Sequence, residues 1–226
     1  MNILVLDCAV SKFSIGVKSE KGQIIHCYDM GMRQSELIVP TLQNALDQAE
    51  VSVKDIEYTA ITIGPGSFTG LRLFLSSLKA LTFAYNIPIY KVSTLSLYAW
   101  PLIKTNKTVI SCIDANKEKF YATICKKDEI LLKEDDYNQT DIIDFVNNSL
   151  ENEFWILGPD NKKLQKVLSS ACIKKEFFAP EVSFSTAESL LKITEELIEQ
   201  KKETLKDFEG PNYLRASEAE LKLNSN

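Results

Sequence analysis

The sequence predicts an α/β protein made of two lobes that repeat one order of elements: three strands, a helix, a strand, a helix, a strand and a helix. The first half of the chain spells this order once, and the second half spells it again with little residue identity. In each half the first strand ends at an aspartate, Asp7 or Asp114. In each half the fourth strand runs into a glycine–proline pair, at Gly64 or Gly158. These observations indicate an internal duplication, so we predict an α/β fold of two βββαβαβα lobes.

Hydrophobic periodicity places the elements of each half. In the first half it predicts strands at 3–6, 13–18 and 23–28, a helix from 35, a strand at 58–63, a helix at 68–85, a strand at 87–92 and a helix capped by Ser93 or Thr94. In the second half it predicts strands at 108–113, 120–125 and 129–132, a helix at 140–150, a strand at 154–157, a helix to 170, a strand at 177–178 and a helix at 186–201. Each element therefore has a counterpart in the other half.

The boundary between the halves is a short polar stretch, Lys104 to Lys107, and not a low-complexity linker. We therefore predict an N-terminal lobe at residues 1–104 and a second lobe at residues 105–226. The second lobe ends in a tail that we expect to pack on the rest of the protein. Whether the tail docks back on the first lobe is left open. Arg215 in this tail is expected to pair with a carboxylate, and the polar segment after it is expected to form one last helix.

The composition is that of a soluble globular protein, with 45% hydrophobic and 25% charged residues. The net charge of −5 and the pI near 5.1 argue against a surface built mainly for nucleic acid. The five cysteines form no C-x-x-C pair and mostly lie in apolar runs, which is typical of free thiols in a reducing compartment. No apolar run approaches the length of a membrane span, and the chain begins directly with a predicted strand. We expect a cytoplasmic protein without a membrane partner.

Metal-dependent and hydrolytic chemistry lacks the necessary side chains in this sequence. His26 is the only histidine, and it falls inside the third predicted strand. The chain has no H-E-x-x-H motif and no clustered Cys/His arrangement. A serine or cysteine hydrolase would need a base, and no spacing supports His26 in that role. We therefore predict no metal site and no catalytic residue.

The most informative stretch is Gly64 to Arg72, which joins a predicted buried strand to a long apolar helix. Its spacing does not fit a P-loop, a dinucleotide fingerprint or a nucleophile elbow. A glycine turn beside a helix N-terminus can bind an anion, but the same residues can simply join a strand to a helix tightly. Ser67 is a good N-cap for the helix. The residues assigned to the structural turn are Gly64, Pro65, Gly66 and Gly70.

The Gly64–Arg72 stretch resembles the signature of the TsaB family, also called YeaZ. Two further segments resemble motifs of that family, Asp114 to Tyr121 at the opening of the second lobe and Pro211 to Arg215 in the tail. The segments Ser35-Glu36-Leu37 with Pro40 and Val92 to Leu95 also match, so that the resemblance covers nearly the whole chain in order. The duplicated unit resembles the fold shared by actin, sugar kinases and heat-shock ATPases (the ASKHA fold).

This resemblance implies a non-catalytic subunit of the bacterial system that forms N6-threonylcarbamoyladenosine beside the tRNA anticodon. The implied partner is TsaD, a larger paralogue that carries the metal and the transfer chemistry. TsaE is implied to join the pair and TsaC to act upstream, while tRNA would be met only through the complex. No cofactor is expected in the isolated chain, and ATP or ADP only in the complex. A homodimer of the isolated chain is left open.

The sequence departs from the family pattern at several positions. Gln34 stands where the family commonly has a histidine, and Cys8 and Ala9 stand where it usually has a threonine and a serine. These changes remove an imidazole and two hydroxyl groups that could contact a phosphate. Phe74 and Leu78 are bulkier than the small residues expected in the helix after the glycine turn. The packing of that helix against a partner is therefore expected to differ in detail.

Two alternative functions remain at this point, an ATP-dependent kinase of the same fold and a glycoprotease-type peptidase. Asp7 and Asp114 occupy positions that serve acid–base or Mg²⁺ chemistry in the kinase branch. The turns that follow them lack the glycine and hydroxyl donors with which kinases hold phosphate. The peptidase lacks metal ligands and a triad. The candidates for any nucleotide contact are Asp7, Gly64, Gly66 and Ser67.

A partner surface is predicted on the helices that begin near Ser35 and Ser67. The second of these is apolar around most of its circumference, which indicates burial on more than one side. The second side of this helix can be covered either by the same chain or by another protein. The family resemblance favours another protein. A charge at Leu78 is then expected to break association without unfolding the chain. The predicted interface residues are Leu37, Ile38, Leu42, Ala45, Leu46, Phe68, Leu71, Arg72, Phe74, Leu75 and Leu78.

Overall fold

The computed structural model describes residues 1–10, 12–29, 34–127, 129–181 and 185–215. The helix predicted after Arg215 lies outside these residues. The described chain divides into two compact units, Met1–Leu97 with Phe184–Asn212, and Tyr98–Ser183 with Tyr213–Asn226.

The first unit is built on a five-stranded mixed sheet with the strand order β3-β2-β1-β4-β5. The central strand β1 pairs antiparallel with β2 and parallel with β4, so that Leu6 lies opposite Ile15 on one side and Ile61 on the other. The elements of this half are β1 (Ile3–Asp7), β2 (Lys12–Ser19), β3 (Gly22–Asp29), α1 (Gln34–Gln48), a 3-10 turn (Val53–Asp55), β4 (Tyr58–Thr62), α2 (Phe68–Phe83), β5 (Ile89–Val92) and α3 (Thr94–Ile103).

The second unit repeats this topology in a sheet with the order β10-β9-β6-β7-β8. Its central strand β6 again pairs antiparallel with the following strand and parallel with β9. The elements of the second half of the sequence are β6 (Thr108–Asp114), β7 (Lys119–Lys126), β8 (Glu129–Asn138), α4 (Gln139–Asn148), β9 (Glu153–Leu157), α5 (Asn161–Ala171), β10 (Glu176–Phe178) and α6 (Thr186–Glu199), of which α6 belongs to the first unit. The predicted duplication of three strands, helix, strand, helix, strand and helix is therefore present in the structure.

The strand β8 runs farther than its apolar pattern predicted. The alternation of apolar residues ends at Leu132, but pairing with β7 continues to Asn138, with Phe120 opposite Tyr137. β8 is an edge strand of its sheet, so its polar residues can remain in solvent while the backbone hydrogen bonds hold the strand. Side-chain hydrophobicity marks the buried part of such a strand and not its full length.

The last helix, α6, packs in the first unit and not in the second lobe to which the duplication assigned it. Its buried residues include Ala187, Leu190 and Leu191, and it contacts β1, β2 and β4. Gly16 of β2 permits this close approach, since an added Cβ would lie 3.1 Å from a Leu191 methyl carbon. The observed division therefore differs from the predicted lobes at 1–104 and 105–226, because α6 finds its apolar partners on the first sheet.

The first core lies between its sheet and the helices α1 and α2. Phe13 from β2 and Phe74 from α2 meet there with ring centroids 4.5 Å apart. On the opposite face of the sheet α6 covers the alternate side chains of β1. Both faces of the central strand are thus buried, which explains why Ile3 to Leu6 read as a continuous apolar run. Of the helices in the described part of the chain, none is both long and apolar enough to cross a membrane.

Candidate functional site

Asp7 lies at the carboxyl end of β1, where its carboxylate is buried and fully engaged with the chain itself. Its Oδ1 accepts hydrogen bonds from Thr62 Oγ1 at 2.9 Å and from the Ala9 amide at 3.4 Å. Its Oδ2 accepts from the hydroxyl of Thr186 at the start of α6. Burial raises the pKa of the Asp7 carboxyl, and these three hydrogen bonds oppose the rise. Asp7 therefore joins β1, β4 and α6, and its oxygens do not face solvent.

The stability of the protein should depend on the protonation of Asp7. Because its folded-state pKa is raised, the native state binds this proton more tightly than the unfolded chain does. The free energy of unfolding should therefore fall as the pH rises from the ordinary aspartate value of 3.8 towards the raised value. Asp7→Asn removes the titration and keeps an oxygen that can accept from Thr62. We expect the difference in the free energy of unfolding between Asp7→Asn and the parent to shift in favour of the variant as the pH rises across this window.

Urea unfolding in steps from about pH 4 to about pH 7 measures this difference. Asp144→Asn, which changes an exposed carboxylate on α4, is the control. Parallel pH curves for the parent and Asp7→Asn would contradict the role given to the buried carboxyl.

The glycine turn after β4 is packed against the chain's own backbone on both sides. A Cβ added at Gly66 would lie 2.2 Å from the carbonyl oxygen of Ala9. Gly64 has a φ of +118°, and a Cβ there would lie 2.4 Å from the carbonyl oxygen of Asn212. Only glycine combines this dihedral with this close approach. The peptide bond between Gly64 and Pro65 is cis.

The Ser67 and Gly70 amides of this turn donate to groups of the chain itself. The Ser67 amide donates to the Ala9 carbonyl at 2.7 Å, and the Ser67 hydroxyl accepts from the Gly70 amide at 3.2 Å as the N-cap of α2. The Asn212 amide donates to the Ile63 carbonyl at 2.7 Å on the other side of the turn. An anion bound at the Ser67 amide would therefore have to displace the Ala9 carbonyl. The structure brings the four nucleotide candidates Asp7, Gly64, Gly66 and Ser67 into one region, in contact with the chain itself.

Most of the predicted interface residues on α1 and α2 lie in the core of the first unit. On α2 the side chain of Leu78 is 0% exposed and packs with Phe74 and Leu71 in the cluster under the sheet. Leu37 and Phe68 are half-buried, and Arg72 is exposed. Apolar side chains buried in the monomer cannot also face a partner, so the predicted surface needs revision. The interface residues that the structure places in the core are Ile38, Leu42, Ala45, Leu46, Leu71, Phe74, Leu75 and Leu78.

The exposed side of α2 is a separate stripe at helical spacing, which we call the α2 face. Its residues are small or aromatic, with one cation, and they are Thr69, Arg72, Ser76, Ala80 and Phe83. The guanidinium carbon of Arg72 lies 3.9 Å from the centroid of the Phe68 ring at the beginning of the helix. α1 packs along one side of α2 and exposes Val39 and Pro40. Another protein can therefore reach the α2 face and the exposed residues of α1.

Comparison with known proteins identifies the family. A model of the family described as "TsaD: tRNA N6-adenosine threonylcarbamoyltransferase" matches residues 30–223, well over half of the chain. The chain belongs to the TsaD family. Within it, the TsaB protein of Buchnera aphidicola subsp. Schizaphis graminum, a "tRNA threonylcarbamoyladenosine biosynthesis protein", is 25% identical over 187 residues, 79% of this chain and 88% of that protein. The resemblance to TsaB found in the motifs is thus confirmed.

Solved structures show the same fold. YeaZ from Pseudomonas aeruginosa superposes with a TM-score of 0.72 at 20% identity and covers 94% of this chain and 99% of that one. A Bacteroides thetaiotaomicron protein described as having an actin-like ATPase fold superposes with a TM-score of 0.50 at 12% identity, over 84% of this chain and 95% of that one. The predicted actin-like α/β fold is confirmed.

The motif that this TsaD-family member carries in its tail ends in a partly buried ion pair within the second unit. Arg215 donates from Nε and Nη2 to the two carboxylate oxygens of Asp136, at 2.7 and 2.8 Å, and from Nη1 to the Ala115 carbonyl at 3.0 Å. Such a bidentate pair fixes orientation as well as charge. The predicted pairing of Arg215 with a carboxylate is confirmed.

Two of the departures from the family pattern, Cys8 and Ala9, lie where the backbone after β1 packs against the glycine turn. Cys8 and Ala9 are buried, the Cys8 amide donates to Thr62 Oγ1 at 3.2 Å, and the Ala9 carbonyl receives the Ser67 amide. Burial raises the pKa of the Cys8 thiol, so this group stays protonated at neutral pH. The side chain of Gln34 is outside the described part of the structure.

Sequence reasoning missed two hydroxyl groups of this site, on Thr62 and Thr186. A buried aspartate at a strand end needs donors, and Thr62 precedes the glycine turn in the neighbouring parallel strand, which was a usable signal. Thr186 was assigned only to a helix start. Among the described residues, no three His, Cys, Asp or Glu side chains gather closely enough to hold a metal ion.

Proposed function

We propose that this chain is a non-catalytic subunit in the formation of N6-threonylcarbamoyladenosine beside the tRNA anticodon, and that it acts by pairing with TsaD. The single observation that carries the proposal is the glycine turn, which the chain fills with its own backbone. In a kinase of this fold the corresponding turns would have to hold phosphate. Here the Ala9 carbonyl occupies the space beside Gly66, and the Asp7 oxygens receive protein donors.

The α2 face supports TsaD as the partner. Because the chain matches the TsaD family over residues 30–223, we expect TsaD to have counterparts of α1 and α2, so that the two proteins can present related faces to each other. The α2 face contains Ser76 and Ala80 at its centre, small side chains that let another helix approach closely. Transfer chemistry would then lie on TsaD, and this chain would hold TsaD in its active arrangement.

Further components belong to the same proposal. TsaE would join the pair, TsaC would supply the activated group, and tRNA would be bound through the complex. Nucleotide would be bound only in that complex, and a homodimer would be a state of the isolated chain. The cytoplasmic location expected from the cysteine usage is also proposed.

Association with TsaD tests the proposal. Multi-angle light scattering of an equimolar mixture should give the mass of a complex for the parent chain. Ser76→Arg places a long cation at the centre of the α2 face, where it should weaken association at least about tenfold, because an interface core excludes unpaired charge. Ser169→Arg makes the same change on the exposed face of α5 in the second unit and should have no effect.

Two outcomes would contradict the proposal. If the parent chain and TsaD migrate separately at micromolar concentration, TsaD is not the partner. If Ser76→Arg binds TsaD as well as the parent chain does, the α2 face is not the contact surface.

A further inference from the structure

The turn between β6 and β7 has a strained backbone. Asn116, Lys117 and Glu118 have φ angles of +60°, +51° and +57°, so three consecutive residues that are not glycine are left-handed. Asparagine tolerates this region, but lysine and glutamate adopt it at an energetic cost. Elsewhere in the described chain, left-handed residues other than glycine occur singly, at Glu50, Asn86, Lys127 and Lys201. We call residues 116–118, which are all exposed, the left-handed turn.

Backbone hydrogen bonds hold the left-handed turn at both ends. The Ala115 amide donates to the Lys119 carbonyl at 2.9 Å, and the Lys119 amide donates to the Asn116 carbonyl at 3.1 Å. The Glu118 carbonyl accepts from the amide of Gln139, the first residue of α4, at 3.0 Å. These bonds join the turn to β7 and to α4, but none of them uses the Ala115 carbonyl.

The tail binds the Ala115 carbonyl at the beginning of the turn. Arg215 Nη1 donates to it at 3.0 Å, while Nε and Nη2 hold the Asp136 carboxylate at 2.7 and 2.8 Å. Asp136 lies in β8 opposite Tyr121 of β7, and its side chain is only 11% exposed. Because a guanidinium is planar, its donors keep a fixed geometry, so this arginine sets the position of the Ala115 carbonyl relative to the sheet. We call these three hydrogen bonds the Arg215 clamp.

The left-handed turn in turn orients Asp114, the aspartate at the end of β6. Asp114 Oδ1 accepts from the Asn116 amide at 3.0 Å, and its Oδ2 pairs with Lys163 of α5. The Asp114 amide donates to Asp160 Oδ2 at 2.8 Å. A different backbone conformation at Asn116 would remove the first of these bonds. The orientation of the Asp114 carboxylate therefore depends on the shape of the turn.

We propose that the left-handed turn is a two-state element and that the Arg215 clamp stabilises its left-handed state. With the clamp closed, the three hydrogen bonds of Arg215 offset the strain at Lys117 and Glu118. With the clamp open, the turn relaxes to ordinary dihedrals and the Asn116 amide leaves Asp114. Arg215 is thus a positioning residue for a turn that lies 100 residues earlier in the chain. All of these residues belong to the second unit, so the inference does not depend on pairing with TsaD.

Amide hydrogen exchange of the whole chain, followed by NMR, tests the clamp. Arg215→Met removes the three donors, so the amides that donate hydrogen bonds at the turn should exchange at least about tenfold faster through local opening. These amides are Ala115, Asn116, Lys119 and Gln139. The amides of β6 should keep the rates of the parent chain, because opening of the turn leaves the sheet paired.

Lys126→Met is the matched control for Arg215→Met. Lys126 Nζ also holds both oxygens of one carboxylate, that of Glu151 in the same unit, at 2.7 and 2.8 Å. Loss of this ion pair should leave exchange at the left-handed turn unchanged. Unchanged exchange at the turn in Arg215→Met would overturn the proposal. Equal acceleration at the turn and in β6 would also overturn it, since Arg215 would then support the whole unit.

Arg215→Lys separates the geometry of the clamp from its charge. Lysine keeps a cation beside Asp136 but lacks the planar set of donors, so exchange at the turn should again be faster than in the parent chain. Rates equal to those of the parent would show that charge alone is sufficient, and would overturn the clamp.

A substitution inside the turn tests the strain. Lys117→Asn introduces a residue that tolerates the left-handed region, so in the Arg215→Met background it should slow exchange at the turn by at least about twofold. Lys117→Ala removes the same charge but keeps the conformational cost, so it should restore no protection. Equal exchange in the two double variants would show that the turn stores no strain, and would overturn its role as a two-state element.

Discussion

Gly66→Ala is expected to leave little folded protein. The added methyl carbon would lie 2.2 Å from the Ala9 carbonyl oxygen and 2.8 Å from its carbonyl carbon. These are backbone atoms, and the Ala9 carbonyl is fixed by the Ser67 amide at 2.7 Å, so neither side can move without loss of that bond. A clash of this kind should cost several kcal/mol out of a total stability of about 5–15 kcal/mol.

Circular dichroism and urea unfolding of the soluble fraction measure the effect. Gly210→Ala is the control, because an added Cβ there would meet no atom within 4 Å. Melting of Gly66→Ala within about 2 °C of the parent chain would contradict the close approach of the turn to Ala9.

Leu78→Glu should unfold the first unit, and this replaces the expectation drawn from the sequence. The side chain is 0% exposed, in a core shared with Phe74 and Leu71. Burying an unpaired carboxylate there should cost several kcal/mol, a large part of a typical domain's stability. Leu150→Glu, at a side chain that is 98% exposed, should change little. A Leu78→Glu protein that melts like the parent and no longer binds TsaD would contradict the assignment of this residue to the core.

The order of elements could be predicted from the sequence because each strand and helix has a characteristic periodicity of apolar residues. Ile3 to Leu6 read as a buried strand, and Ser67 marked the start of α2, where the structure has its N-cap. The Gly64–Arg72 stretch indicated the family. Gly64 and Gly66 are required there because other parts of the backbone come too close for a side chain. Local rules were sufficient for these features.

Features set by distant contacts were not accessible. Leu78 and Ser76 are two residues apart on α2, and the sequence favoured the apolar residue as the contact with a partner. The sheet, however, takes the apolar side of the helix, and what remains outside is small or polar. The position of α6 on the first sheet, with Thr186 bonded to Asp7, likewise depends on residues 179 apart in the chain.

Reconstituted tRNA modification is the most direct test of the account. TsaC, TsaD, TsaE, ATP and unmodified tRNA are combined with and without this chain, and the nucleosides are separated and identified by mass spectrometry. We expect N6-threonylcarbamoyladenosine with the parent chain and with Ser169→Arg, and a strong loss when the chain is omitted or replaced by Ser76→Arg. Full modification without the chain would contradict its role as the subunit that activates TsaD.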